Sequence, residues 1–125
     1  MRFVWNPPSL QTICQSQAAL QRQWPTCWRE VQMLIGYTSS ALTVEELRSF
    51  HALAVTRQQP QLSNHECGLS IRYKEIEMST TLLTAEGKNL VLRPIDESFE
   101  TISSVGDLRV DGFSEQRRFA HRAAS

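Results

Sequence analysis

Apolar side chains recur at helical spacing through the first sixty residues, and from Leu69 onward they alternate with polar ones. After Pro7-Pro8, Ser9 reads as a helix cap. Leu10, Ile13, Cys14, Leu20 and Trp24 then fall on one arc of a helical wheel, and Gln17 and Gln21 share that arc. Two amides on an apolar stripe need hydrogen bonds in a dry core, so they mark a wet core edge or a seam that faces another chain. Pro25-Thr26 opens a second helix, in which Cys27, Trp28, Val31, Leu34 and Ile35 share a face. Gly36 is its expected stop, with Tyr37 to Ala41 a polar loop.

The third helix starts at the run Leu42-Thr43-Val44-Glu45-Glu46-Leu47. An apolar residue, a hydroxyl cap and a Glu three places on form a capping box, with Leu42 stapling onto Leu47. This helix is predicted to reach Thr56, turning Leu47, Phe50 and Ala54 inward beside Leu53. The same start signal recurs in Leu62-Ser63-Asn64-His65-Glu66-Cys67. Between them, Arg57 to Gln61 is a polar linker with a helix breaker at Pro60.

In the second half Leu69, Ile71 and Tyr73 read as one strand, and Ile76, Met78 and Thr80 resume the alternation one step out of phase. A β-bulge at Lys74-Glu75 would produce that slip. Glu86 to Asn89 is a turn, and Leu90-Val91-Leu92 a strand. Phe99 to Val105 and Leu108 to Val110 read as two more strands. Residues 94–104 stay open, because Pro94 suits a first helical position and Ile95, Phe99 and Ile102 keep helical spacing. Ser114 to Ala124 reads as a short basic helix with Phe119 and Ala120 inside.

With 125 residues, 41% of them hydrophobic, the chain suits one domain with one core. The pattern divides it into a helical half (1–60), a mainly strand part (61–112) and a basic C-terminal helix (113–125). The expected class is α+β, with N-terminal helices packed on a small, mainly antiparallel curved sheet of about three to five strands. Formal net charge is zero, which removes a global pull toward nucleic acid or anionic membranes. The charge is unevenly placed. Three Arg against one Glu give +2 over 1–42, 7 bases against 11 acids give −4 over 43–112, and three Arg against Glu115 give +2 over 113–125. A solvated mixed surface explains this, as does head-to-tail self-contact. Phe3-Val4-Trp5 is too short for a signal peptide, and no apolar stretch reaches 18 residues, so no membrane partner is expected. Three widely spaced cysteines read as reduced thiols in the cytoplasm.

A second fold reading is a winged helix, mostly α. Leu62 to Ser70 carries a capped turn, Gly68 and a new cap, and Leu83-Thr84-Ala85-Glu86-Gly87-Lys88 resembles the Leu-Thr-x-x-Gly element of winged-helix repressors of the MarR type. The resemblance covers about 30 residues and implies a DNA-binding regulator with Ile71 to Leu82 as its reading helix. That helix pairs Arg72 and Lys74 with Glu75 and Glu77, so it is neutral where it would approach phosphates.

The remaining chemistry is sparse. His65, Cys67, Cys14 and Cys27 lack the paired spacing of a zinc site, so neither metal nor cofactor is expected. A Cys67 thiol with His51 or His121 as base would need proximity that sequence does not supply. Asp96-Glu97 and Glu75/Glu77 read as solvated faces. The glycines stand apart at 36, 68, 87, 106 and 112, without a phosphate-cradling loop. The expectation therefore leans away from an enzyme, with a small enzyme or ligand-binding domain between helices and sheet as a further alternative. Trp5, Trp24 and Trp28 are the more suggestive set, since Trp anchors interfaces and Trp5 stands in a Pro-flanked arm. The function expected is a non-enzymatic protein–protein interaction or assembly module, a small accessory or structural subunit. Its interface candidates are Trp5, Gln17, Gln21, Trp24, Arg117 and Arg118. The partner is a protein or a second copy, with nucleic acid not favoured.

Overall fold

The computed structural model describes residues 1–58, 67–91 and 99–115. Strand β1 (Arg2–Trp5) precedes four helices, α1 (Ser9–Cys14), α2 (Gln17–Gln23), α3 (Trp28–Ser40) and α4 (Val44–Arg48). Strands β2 (Leu53–Gln58), β3 (Gly68–Tyr73) and β4 (Ile76–Leu83) follow. A 3-10 turn at Phe99–Ile102 then leads into β5 (Asp107–Glu115). The five strands form one open sheet in the order β1-β5-β4-β3-β2. β1 runs parallel to β5, and every other pair is antiparallel. The class is α+β, with all four α-helices between β1 and β2 and the 3-10 turn ahead of β5.

The helical half differs from its sequence pattern at several places. The helix expected from Ser9 onward breaks at Ser16, whose backbone is extended and whose Oγ accepts from the Ala19 N–H at 3.2 Å. A hydroxyl that caps a new helix competes with continuing the old one. Ser9 itself is the first helical residue, and Pro8 holds the cap position without a side-chain bond. Gly36 does not stop α3. Thr38 Oγ1 donates to the Leu34 carbonyl at 2.8 Å, and Val31, Leu34 and Thr38 make one buried stripe that carries the helix on to Ser40. The Met1 ammonium donates to the Ser39 and Ala41 carbonyls, at the helix end where a cation is favoured.

Thr43 caps α4 as expected, its Oγ1 accepting from the Glu46 N–H at 3.3 Å. The helix ends at Arg48, however, and residues 53–58 are strand. Leu53, Val55 and Arg57 alternate with exposed Ala54, Thr56 and Gln58, so this segment fits period 2 as well as a helix. Six register pairs with β3 decide the matter.

β3 and β4 form a hairpin. Tyr73 pairs with Ile76 across a two-residue turn, with Lys74 at φ 55°. The expected bulge at Lys74-Glu75 is this turn: partners across a hairpin face the same side, so three residues separate two inward positions. The same hairpin removes the winged-helix reading, because 68–83 holds no helix for a groove. The true slip lies between β4 and β5, where Thr80 faces Val110, Ser79 faces Gly112 and Asp111 has no partner. Asp111 accepts from Thr81 Oγ1 and from Arg109 Nε, each at 2.7 Å, and Arg109 also donates to Asn89 Oδ1 at 3.3 Å. These bonds pin the bulge on the face away from the helices.

Gly87, at φ 82°, closes the expected turn. Leu90 then makes isolated bonds to Leu82 and Cys67 instead of joining a strand, and Leu92 lies outside the described residues. Residues 99–102 form a 3-10 turn, the helical side of the choice left open for 94–104, while 94–98 lie outside the described residues. Ser114 and Glu115 belong to β5, which corrects the start of the basic helix; 116–125 lie outside the described residues. So do Gln59–Glu66, with the second capping signal and His65.

The core lies between the helices and one sheet face. Leu69, Ile71, Met78, Leu82, Leu108 and Val110 point inward, each 0% exposed, against Val31, Leu34, Val44 and Leu47. At the β1 corner the Leu42 carbonyl approaches Gly106 so closely that a Cβ there would stand 2.7 Å from it.

Candidate functional site

The sheet is open, and the direction of its edge groups follows from register. Tyr73 and Ile76 flank a two-residue turn and exchange both backbone bonds, so the odd-numbered residues of β3 bond β4 and its even-numbered ones bond β2. In β2, Ala54, Thr56 and Gln58 therefore bond β3. The N–H and C=O groups of Leu53, Val55 and Arg57 point to the open edge. The Leu53 N–H closes a turn onto the Phe50 carbonyl at 3.1 Å. At the other edge, the Arg2 N–H donates to the Gly106 carbonyl and the Asn6 N–H to the Val110 carbonyl, each at 2.9 Å. Even-numbered residues of β1 thus bond β5, and Phe3 and Trp5 face outward with their backbones.

The solvent face of α3 forms a second surface. Gln32, Met33, Gly36, Tyr37 and Ser40 line an open groove of about 230 Å³. Met33 is 45% exposed there, and Leu42, just beyond the helix, is 73% exposed. A Cβ added at Gly36 would meet no atom within 4 Å. One wall is firm: the Tyr37 ring rests on Phe50 and Tyr73, with centroids 5.6 and 5.7 Å away.

Four of the six interface candidates lie among the described residues. Trp5 lies in β1 instead of a loose arm, half-buried and edge-on to Phe3 at 5.6 Å. Trp24, at the end of α2, is half-buried against Phe113 at 5.4 Å. The two tryptophans share the helix-side seam along β1 and β5. Gln17 and Gln21 are exposed on α2, because the break at Ser16 rotated them off the apolar stripe. Arg117 and Arg118 lie outside the described residues. The α3 groove and the β2 edge were not anticipated. The first was hidden by reading Gly36 as a stop, the second by reading Leu53–Thr56 as helix.

Of the rival thiol–histidine chemistry, only the pairing of Cys67 with His51 falls among the described residues; His65 and His121 lie outside them. His51 is exposed ahead of β2, and Cys67 is buried beyond its far end. A six-residue strand puts them roughly 17 Å or more apart, outside proton-transfer reach. Burial pushes the Cys67 thiol up, opposed by the charge and hydrogen bond of Arg57, and burial alone pushes Cys14 up to about 11. Both thiols therefore stay protonated near neutrality, which disfavours nucleophilic use. None of Cys14, Cys27 and Cys67 is in a disulfide. Among the described residues no three His, Cys, Asp or Glu gather to hold a metal, and no helix is long and apolar enough to cross a membrane. No protein-family description, no curated protein and no solved structure matches this chain.

Proposed function

We propose that this protein is a non-enzymatic interaction module, a small accessory or structural subunit that works by binding another protein or its own kind in the reducing cytoplasm. Gly36 carries the proposal. A glycine inside a helix costs about 0.5–1 kcal/mol relative to alanine. No described residue approaches Gly36 closely enough to require it. Its use is a close approach from outside, beside the exposed thioether of Met33. Met is common at adaptable binding surfaces. The three cysteines, none of them in a disulfide, support the compartment.

The test compares wild type with Gly36→Ala and Gly36→Leu, by solution mass and by capture of partners from the source cells. Gly36→Ala is expected to raise unfolding stability by about 0.5–1 kcal/mol, and Gly36→Leu to fill the groove and abolish capture. Unchanged complexes in the Leu variant would overturn the use of this face. A wild-type chain that binds neither itself nor any protein would overturn the module.

A further inference from the structure

We infer that α3 pairs with α3 of a second copy, antiparallel about a two-fold axis between Met33 and Gly36, so that each Met33 enters the other's groove. The inference rests on the reading of the chain as an interaction module, and it names the partner of that same face.

The groove is a socket for one side chain of a facing helix. Met33, Gly36, Tyr37 and Ser40 stand at i, i+3, i+4 and i+7, the four positions that make a hole in knobs-into-holes packing. Gly36 lowers the floor of the hole, and the Tyr37 ring, held by Phe50 and Tyr73, fixes one wall. The exposed stripe through the hole is Arg29, Met33, Gly36 and Ser40, spaced four, three and four. That is the spacing of a helix–helix seam. It lies on the side of α3 opposite the buried Val31, Leu34 and Thr38.

The stripe carries both the knob and the hole, and its charges fit a second copy. Four-three-four spacing reads the same in both directions. An axis midway between Met33 and Gly36 therefore sets Met33 level with the partner's Gly36, and Arg29 level with the partner's Ser40. The exposed apolar knob meets the position that has no side chain. A parallel pair would set Met33 on Met33 and Gly36 on Gly36, leaving both holes empty. Charge selects the same direction. Arg29 is exposed at the start of α3, its guanidinium 5.3 Å from the Trp28 ring centroid, and among the described residues no carboxylate makes an ion pair with it. Glu30, in the same turn, sits off the stripe and half-buried. The other end of α3 is acidic. Glu45 and Glu46 open α4 just beyond it, against the Met1 ammonium on the Ser39 and Ala41 carbonyls, and the helix dipole adds negative charge there. Arg48, at the far end of α4, is held on the Phe99 ring at 3.8 Å. The antiparallel pair brings each Arg29 to the acidic end of the other copy, and a parallel pair would bring like charge to like.

A contact along one 13-residue helix, about 20 Å long, is small for a dimer interface, so the dimer is weak and concentration-dependent. Light scattering over a concentration series is expected to show wild type reaching a dimer. Met33→Ala and Gly36→Leu are expected to stay monomeric with native circular dichroism spectra, since both positions are exposed. If either variant fails to fold, a charge exchange decides. Arg29→Glu and Glu45→Lys, each alone, are expected to weaken self-association about tenfold or more. Mixed in equal amounts they are expected to pair with each other at wild-type strength, because the mixture restores opposite charges at both ends. A wild-type monomer at all concentrations, a dimer unaffected by Gly36→Leu, or a mixture no tighter than its two components would each overturn the pairing. A monomeric chain that still captures another protein through Gly36 would overturn the second copy as occupant and leave the interaction module standing. A chain that does neither ends both.

Discussion

β1 and β2 end the same sheet at opposite sides, and they are built to different plans. β1 is four residues long, presents the backbones of Phe3 and Trp5, and runs into Pro7 and Pro8. It is anchored at its start by the Met1 ammonium on the end of α3 and by an ion pair from Arg2 Nε to Asp107 Oδ1 at 2.5 Å. β2 has a longer regular ladder, and the short helix α4 packs on it. An edge is closed by short length, proline and tethering, and β1 has all three. The contrast lies in how the two edge strands are held: β1 by tethers at its start, β2 by a six-pair ladder to β3.

The largest expected effect would break the β2 side. Leu47 is fully buried in α4, and Leu47→Ala should lower unfolding stability by about 2–5 kcal/mol in urea titration. Hydrogen exchange in β2 should then speed up more than in β1. Equal acceleration at both edges would mean that the two sides unfold as one. Trp5→Ala probes the other side. A fully buried Trp is worth about 3–5 kcal/mol, so this half-buried one should cost about 2. A loss under about 0.5 kcal/mol would return Trp5 to the status of a loose arm.

Smaller changes sharpen the comparison. Thr43→Ala removes the cap of α4 and should cost about 1 kcal/mol. Ser16→Ala, which uncaps α2, should match it, and a clear inequality would show which helix its edge depends on. The smallest effect is at alkaline pH. Burial raises the Cys14 thiol to about 11 from an ordinary 9.0, so the folded chain keeps this proton longer than the unfolded one. The associated stability is complete below about pH 9 and is lost as pH rises toward 11. Melting temperatures from pH 8 to 11 should fall less steeply for Cys14→Ala than for wild type. Parallel curves would place the Cys14 thiol in water.

Much of the local structure was legible because it depends on neighbours in the chain. Thr43 with Glu46 specifies a helix start, Val31 and Leu34 a buried stripe, and Leu69, Ile71 and Tyr73 a strand. The errors came where one residue serves two patterns. Gly36 suits a helix end, but three hydroxyl bonds back to the preceding turn, from Thr38, Ser39 and Ser40, carry α3 past it. Leu53, Val55 and Phe50 fit helical spacing and strand alternation alike. The candidate surfaces were less legible still. Trp5 and Trp24 stood out by residue type, while the groove at Gly36 and the edge of β2 became visible only as places where the fold leaves atoms uncovered.

By itself the sequence determined the class of the fold, the Thr43 cap of α4, and the alternation of β3 and β4, since these rest on contacts within a few positions. The tertiary structure decided the rest. It placed β1 beside β5, a pairing across more than one hundred residues. It turned Leu53–Gln58 into strand through the register of β3, and it moved the bulge to Asp111, where Thr81 and Arg109 meet its carboxylate. The physical reason is the same in each case. A backbone with two nearly equal local options takes the one whose hydrogen bonds and buried side chains are completed by residues far away in the chain.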